Sequence, residues 1–240
     1  MAEWLLVSDL DGTMIGDNDA LNRLSKIISN FREKLIVAFN SGRTPASMRT
    51  TINRYSNLPF PDYLIGALGT EIEYGPSGIH ILDFRLLIDE DWDRVTIVSI
   101  LEKINLRMQI DEDQTPHKIS YWVNKKRTYE QVVNCLDSAR IRAKVVYTDG
   151  IYLDIIPIRA GKGQAIEYLR NKILISPQNV IVAGDSDNDL DMFITPYKGI
   201  IVGNATGELK RLKGENIYHS KKNYADGVID GLEYWGIFSS

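Results

Sequence analysis

The chain has 240 residues, 44% of them hydrophobic and 25% charged, enough for one large domain or two modest ones around a buried core. Its net charge of −4 excludes a broad basic surface of the kind that binds nucleic acid, and its single cysteine, Cys135, excludes an intrachain disulfide. The opening apolar run, Trp4-Leu5-Leu6-Val7, is far too short for a signal peptide or a membrane span, so the expectation is a cytoplasmic protein with no membrane partner.

That first run reads as a short buried strand. Leu21, Leu24, Ile27, Ile28 and Phe31 then recur at helical spacing. A buried-type strand follows at 34–40, and a helix at 43–55 with Thr44 as N-cap and Pro45 in its first turn. A third strand spans 62–68. This βαβαβ rhythm predicts a parallel sheet wrapped by helices.

The rhythm changes at residue 71. A hairpin is expected over 71–84 around Gly75-Pro76, a helix over 90–104, a strand over 117–125 and a helix over 127–140 containing Cys135 in its apolar pattern. Strands at 144–148 and 151–157 are joined at Asp149-Gly150, a strong hairpin signal. From Arg159 the α/β rhythm returns, with helices at 163–173 and 225–235 and strands at 179–184 and 199–205. The expected fold is α/β: a Rossmann-like parallel-sheet core with helices on both faces, formed by 1–79 and 158–240, interrupted by a smaller inserted α+β domain over 80–157.

In an open α/β sheet, ligands bind at the carboxyl ends of the strands. Four such places carry unusual polar residues: Asp9 and Asp11; Asn40, Ser41, Gly42 and Arg43; Lys162; and Asp185, Ser186, Asp187, Asn188 and Asp189. On a strand, Asp9 and Asp11 point the same way, and like charges that close need a cation or a shared proton. Carboxylates from two strand ends make a hard, oxygen-rich pocket suited to Mg²⁺. A hydroxyl, glycine backbone and a lysine beside it suit an anion. Metal and anion sites side by side are a phosphoryl-transfer layout. A nucleotide P-loop at Lys162 fails, because Ile156 stands where its first glycine belongs and Gly163 follows the lysine. His80, His117 and His219 are scattered, and Asp187 reads as a solvated loop residue.

The segments "DLDGT", "NSGR", the lone Lys162 and "GDSDND" together resemble the four motifs of the haloacid dehalogenase superfamily of phosphatases, in that family's order and spacing. The insertion resembles its larger α/β cap, and "DLDGTMIGDNDAL", "ALGTEIEY", "KISYW" and "GDSDNDLDMF" are similar to sucrose-phosphate phosphatases. The resemblance implies Asp9 as nucleophile and metal ligand, and Asp11 as general acid and base with a free side chain, touching the metal through its backbone carbonyl. Ser41 and the adjacent amides of Gly42 and Arg43 would hold phosphate, Lys162 would neutralise phosphate and Asp9, and Asp185 would ligate Mg²⁺. Asn188 and Asp189 would position the site.

In the cap, one face of 117–125 carries Lys118, Ser120, Trp122 and Asn124, and the other carries Ile119, Tyr121 and Val123. The first face suits a sugar ring. Thr70 and Glu71, on the core side of the hinge, are further substrate candidates, with Tyr152 and Asp154 behind them. The implied activity is Mg²⁺-dependent hydrolysis of a sugar phosphate, foremost sucrose 6-phosphate, by a monomer that could contact a sugar-phosphate synthase. Another osmolyte phosphate, a phosphomutase and a vestigial binding protein stay open as alternatives.

Overall fold

The structure, a computed structural model, describes residues 3–75, 77–193 and 196–238. Its elements are, in chain order, β1 (Trp4–Ser8), α1 (Asn18–Asn30), β2 (Leu35–Asn40), α2 (Pro45–Arg54), β3 (Tyr63–Gly66), β4 (Glu71–Tyr74), α3 (Leu82–Asp89), α4 (Arg94–Leu101), β5 (Arg107–Met108), β6 (Ile119–Trp122), α5 (Lys126–Ser138), β7 (Ala143–Thr148), β8 (Tyr152–Pro157), α6 (Lys162–Lys172), β9 (Val180–Gly184), α7 (Leu190–Phe193), β10 (Lys198–Ile201), β11 (Ile217–His219) and α8 (Tyr224–Tyr234).

The larger sheet has the order β11-β10-β9-β1-β2-β3-β4, parallel throughout except for β4 at the edge. Its central strands are apolar on both faces because helices cover both. In β1, Leu5 and Val7 join the apolar cluster on one side and Leu6 the cluster on the other; in β9, Val180 and Val182 divide from Ile181 and Ala183 in the same way. Asp17 caps α1 by accepting from the amides of Asp19 and Ala20, and Thr44 caps α2 by accepting from that of Ser47. The order β9-β1-β2 sets the carboxyl ends of these three strands side by side, and the chain reverses direction of travel across the sheet there, the position where such folds bind ligands.

The segment 71–84 folds differently from the expected hairpin. β4 pairs antiparallel with β3 as the edge of the core sheet, and only a bridge between Glu73 and His80 returns; Pro76 lies outside the described residues. After Ile81 the apolar spacing shifts from two to four, so Phe84 and Ile88 define a helix, α3, that the alternation had masked. The helix expected over 90–104 covers 94–101 plus a final 3-10 turn. Its N-cap is Asp93, whose carboxylate accepts from the Thr96 amide. β5, β11 and α7 are too short to leave a periodic signal.

The second sheet, β5-β6-β8-β7, is antiparallel. Ile119, Tyr121, Val123, Leu153 and Ile155 pack there against α4 and α5 in a cluster of their own. Ile81, Phe84 and Ile88 belong instead to the core cluster, so the inserted unit's own packing begins near Trp92, later than residue 80. Glu90 and Arg159, one on each connecting segment, form an ion pair at 2.5 Å.

Candidate active site

Asp9 follows β1, Asp185 follows β9, Ser41 follows β2, and Lys162 opens α6, so four separate segments converge. Lys162 is almost wholly buried. Its Nζ donates to Asp9 Oδ1 at 2.8 Å, Asp189 Oδ1 at 2.6 Å and Asn188 Oδ1 at 3.2 Å. Burial disfavours its charged form, but Asp189 and Asp9 outweigh that and hold the ammonium charged beyond the usual lysine range. Burial raises Asp9 well above the usual carboxylate range; Lys162 opposes this, while Asp189 and Asp185 add to it. Asp185 is pushed up to about 7, by burial first and then by Asp189 and other charges including Asp149, against a hydrogen bond from Thr13 Oγ1 at 2.9 Å.

Gly12 is where this arrangement needs a glycine. Its φ is +82°, and a Cβ there would lie 2.5 Å from Asp185 Oδ2. Asp189 is held from every side: Oδ1 by Lys162, and Oδ2 by the amides of Asp185 and Ser186 at 3.0 and 3.3 Å. It therefore orders the loop after β9 around the lysine.

Ser41 is buried and lines the cavity above Asp9. The Ser41 amide donates to the Ile65 carbonyl at 2.9 Å; of the two adjacent amides expected to bind phosphate, that of Arg43 donates to Ser41 Oγ at 3.2 Å. The Gly42 amide, with no acceptor in the protein among the described residues, is the one of the two left for a ligand. Leu68, at φ +58°, follows Ala67 at φ +52°; this left-handed pair lets the Leu68 amide reach the Ser41 carbonyl at 3.1 Å and brings Leu68 onto the cavity wall. Asn40 ties β2 to α6 by donating from Nδ2 to the Lys162 carbonyl at 3.1 Å.

The Asp11 side chain stands apart from the carboxylate cluster, and Arg43 engages it. Arg43 meets it with Nε to Oδ2 at 2.5 Å and Nη2 to Oδ1 at 3.0 Å, because the guanidinium fork matches a carboxylate. Arg43 thus faces Asp11 from the cavity wall. The carboxylates whose oxygens approach within 4.8 Å of one another are Asp9, Asp185 and Asp189, without Asp11.

The cavity measures about 630 Å³, within the usual range for small-molecule sites, and both sheets contribute to it. Asp9, Asp11, Ser41, Gly42, Arg43, Asp185 and Asn188 line its core side. Lys118, Trp122, Tyr152 and Asp154 line the cap side, brought together by the register that pairs Ser120 with Asp154 and Trp122 with Tyr152. The Trp122 and Tyr152 rings lie 5.2 Å apart, and Lys118 Nζ is 3.4 Å from Asp154 Oδ1. Asn124 lies in a neighbouring groove instead. Thr70 and Glu71 do not line the cavity; the Thr70 hydroxyl donates to the Ala67 carbonyl and Glu71 sits on the edge strand. Gln109, Asp113, Thr148 and Asp149 line it without having been singled out for it. Asp149 was legible as a turn residue, but nothing local shows that this turn overhangs the core. Asp187 accepts from the amides of Glu208 and Leu209 at 2.7 and 3.3 Å, so it anchors that loop.

Residues 2–236 match the family described as sucrose-6F-phosphate phosphohydrolase. Sucrose-phosphatase 2 of Nicotiana tabacum is 31% identical over 96% of this chain, which spans only 59% of that protein's length. Mannosylfructose-phosphate phosphatase of Agrobacterium fabrum is 33% identical, with 97% of both chains covered. The sucrose-phosphatase of Synechocystis sp. PCC6803, solved with sucrose and phosphate, superposes with a TM-score of 0.92 at 30% identity over 98% of both chains. A haloacid dehalogenase-like hydrolase of Bacillus subtilis shares the fold at TM-score 0.72 and 18% identity.

Proposed function

This chain belongs to the sucrose-6F-phosphate phosphohydrolase family, and we propose that it hydrolyses a sugar phosphate, foremost sucrose 6-phosphate, through an aspartyl phosphate on Asp9. The observation that carries this reading is the buried Asp9–Lys162 pair at the floor of a cavity whose opposite wall offers an indole and hydrogen-bonding groups. An Asp9 carboxylate oxygen attacks phosphorus, and the bond from phosphorus to the sugar oxygen breaks. Asp11, protonated and released from Arg43 for this step, gives that oxygen its proton. Asp11 then takes a proton from water, whose oxygen attacks phosphorus; free phosphate leaves and the Asp9 carboxylate is restored. Lys162 holds Asp9 in place and balances its charge, while Ser41 and the Gly42 amide receive phosphate oxygens.

The donor set fits Mg²⁺. Asp9 and Asp185 are hard oxygen donors whose carboxylate oxygens come within 4.8 Å of one another, as a shared divalent cation requires. Asp189 has both oxygens occupied by donors of the protein, so Asp9 and Asp185 are the carboxylates that would hold the ion. When bound, Mg²⁺ would offset the repulsion between the Asp9 carboxylate and the phosphate dianion. Sucrose and mannosylfructose are the sugars in the names of the relatives, which supports an uncharged disaccharide as leaving group. The test is phosphate release from a panel of sugar phosphates with Mg²⁺ and with excess chelator. Release from sucrose 6-phosphate above all others, and only with the metal, is the expected result; no release from any member would overturn the reading.

A further inference from the structure

The charge on the cavity wall is uneven. Six carboxylates line it, those of Asp9, Asp11, Asp113, Asp149, Asp154 and Asp185, against two cations, Arg43 and Lys118. Both cations are already matched, Arg43 by Asp11 and Lys118 by Asp154, and Lys162 beneath the floor is matched by Asp9 and Asp189. On the core side the remaining charge is that of Asp185. On the cap side it is that of Asp113 and Asp149, neither of which has an ion-pair partner among the described residues. These two come from separate segments, Asp113 from a 3-10 turn over 111–113 and Asp149 from the β7–β8 turn, where its φ is +53°. Asp149 and Asp185 line the same cavity, so the cap turn faces the core carboxylates across it.

We infer that Asp113 and Asp149 make the cap half of the cavity an electrostatic filter, which admits phosphate esters of uncharged sugars and rejects those bearing a second anionic group. The inference rests on the phosphatase reading above and narrows it to a substrate class. One phosphate dianion is answered by the metal the carboxylates would hold, by the Ser41 hydroxyl and by the Gly42 amide. A second anion finds no unmatched cation on the wall and meets two unneutralised carboxylates in a partly enclosed space, where like charges repel more strongly than in water. Glycerate phosphates, phosphorylated uronates and sugar bisphosphates fall on the rejected side. A phosphomutase that depends on a bisphosphate activator is disfavoured for the same reason, so the filter also separates the alternative reactions that this fold supports.

The test uses a matched pair: sucrose 6-phosphate, and the same compound with a primary hydroxyl of its glucose oxidised to a carboxylate. The wild-type enzyme is expected to prefer the neutral ester in kcat/KM by on the order of a hundredfold. The preference should narrow as ionic strength rises from 20 mM to 500 mM, both values being assay conditions, because screening weakens only the electrostatic part. Asp113→Asn and Asp149→Asn should each reduce it by about tenfold, and the double variant should nearly abolish it. Equal use of both esters by the wild type, or a preference that neither salt nor the double variant changes, would overturn the inference. The wild-type and salt measurements stand even if a variant fails to fold, which circular dichroism would show. If sucrose 6-phosphate is not turned over, the functional reading fails by itself. The filter is then read from inhibition constants of fructose 6-phosphate and fructose 1,6-bisphosphate against whichever sugar phosphate the screen selects, with stronger inhibition by the bisphosphate counting against it.

Discussion

Arg43 holds Asp11 through both guanidinium branches, at 2.5 and 3.0 Å, although both side chains remain about half exposed at the cavity wall. The side chain assigned to deliver a proton to the sugar oxygen is therefore held as a carboxylate by a neighbour on the next strand's loop, and must leave that pair to carry the proton. Asp11→Asn should lose on the order of 10² to 10⁴ in kcat on a sugar phosphate, the usual contribution of a general acid and base. On p-nitrophenyl phosphate, whose leaving group needs no proton, the same variant should release one equivalent of nitrophenolate in a burst and then stall, because water is no longer activated. Rapid-mixing absorbance measures this; steady turnover without a burst would remove Asp11 from the second step.

Asp9→Asn should abolish turnover with the fold retained, since the change removes the nucleophile at constant volume. More than about a hundredth of the wild-type kcat, a loss of only about 2.7 kcal/mol, would end the covalent mechanism.

Lys162→Met should destabilise as well as inactivate. It strands Asp9 and Asp189 in a buried site, and breaking a buried pair from one side costs about 3–5 kcal/mol. Arg23→Ala, which breaks the exposed pair with Asp226, should cost less than about 1 kcal/mol. Denaturant unfolding of both variants checks the contrast; similar losses would mean the buried network carries little stability.

Metal affinity should rise with pH up to about 7 and flatten above it, the value to which Asp185 is raised by burial, then Asp189. The sign follows from protonation: below that pH the folded state keeps a proton on Asp185, and metal binding must displace it. The corresponding stability term runs the opposite way. A carboxyl raised in the fold stabilises most below its unfolded pKa near 4, and that contribution is lost as pH rises through about 7. Calorimetric titration with Mg²⁺ between pH 5.5 and 8.5, these limits being assay conditions, should show about a tenfold gain in affinity per pH unit for each proton displaced below about 7, and little change above it. A flat profile would mean the carboxylates are already ionised without metal.

Trp122→Ala should weaken the disaccharide phosphate selectively, by on the order of 1–3 kcal/mol in kcat/KM and chiefly through KM. Trp122 is 39% exposed, lines the cavity and packs on Tyr152, so it is available to a sugar ring. An aryl phosphate, which needs only the core groups, should be hydrolysed nearly as before. Equal losses on both substrates would assign Trp122 to the packing of the cap.

The core and its catalytic floor were legible in the sequence because each signal is local. A buried strand declares itself by an apolar run, a helix start by Thr44 and Pro45, and the ends of β1, β2 and β9 by polar residues that break an apolar pattern. Register parity likewise foretold that Ile119 and Tyr121 of β6 pack in the second sheet's cluster while Trp122 turns to the other side, where it lines the cavity. What only the tertiary structure decided depends on contacts between residues far apart in the chain. The Arg43–Asp11 pair joins two loops 32 residues apart, the role of Asp189 emerges only when Lys162 reaches it from α6, and Asp113 and Asp149 meet the site only because the second sheet lies over the first. Periodicity reports which side of an element is buried; it carries no information about what a second element, folded over it, places opposite.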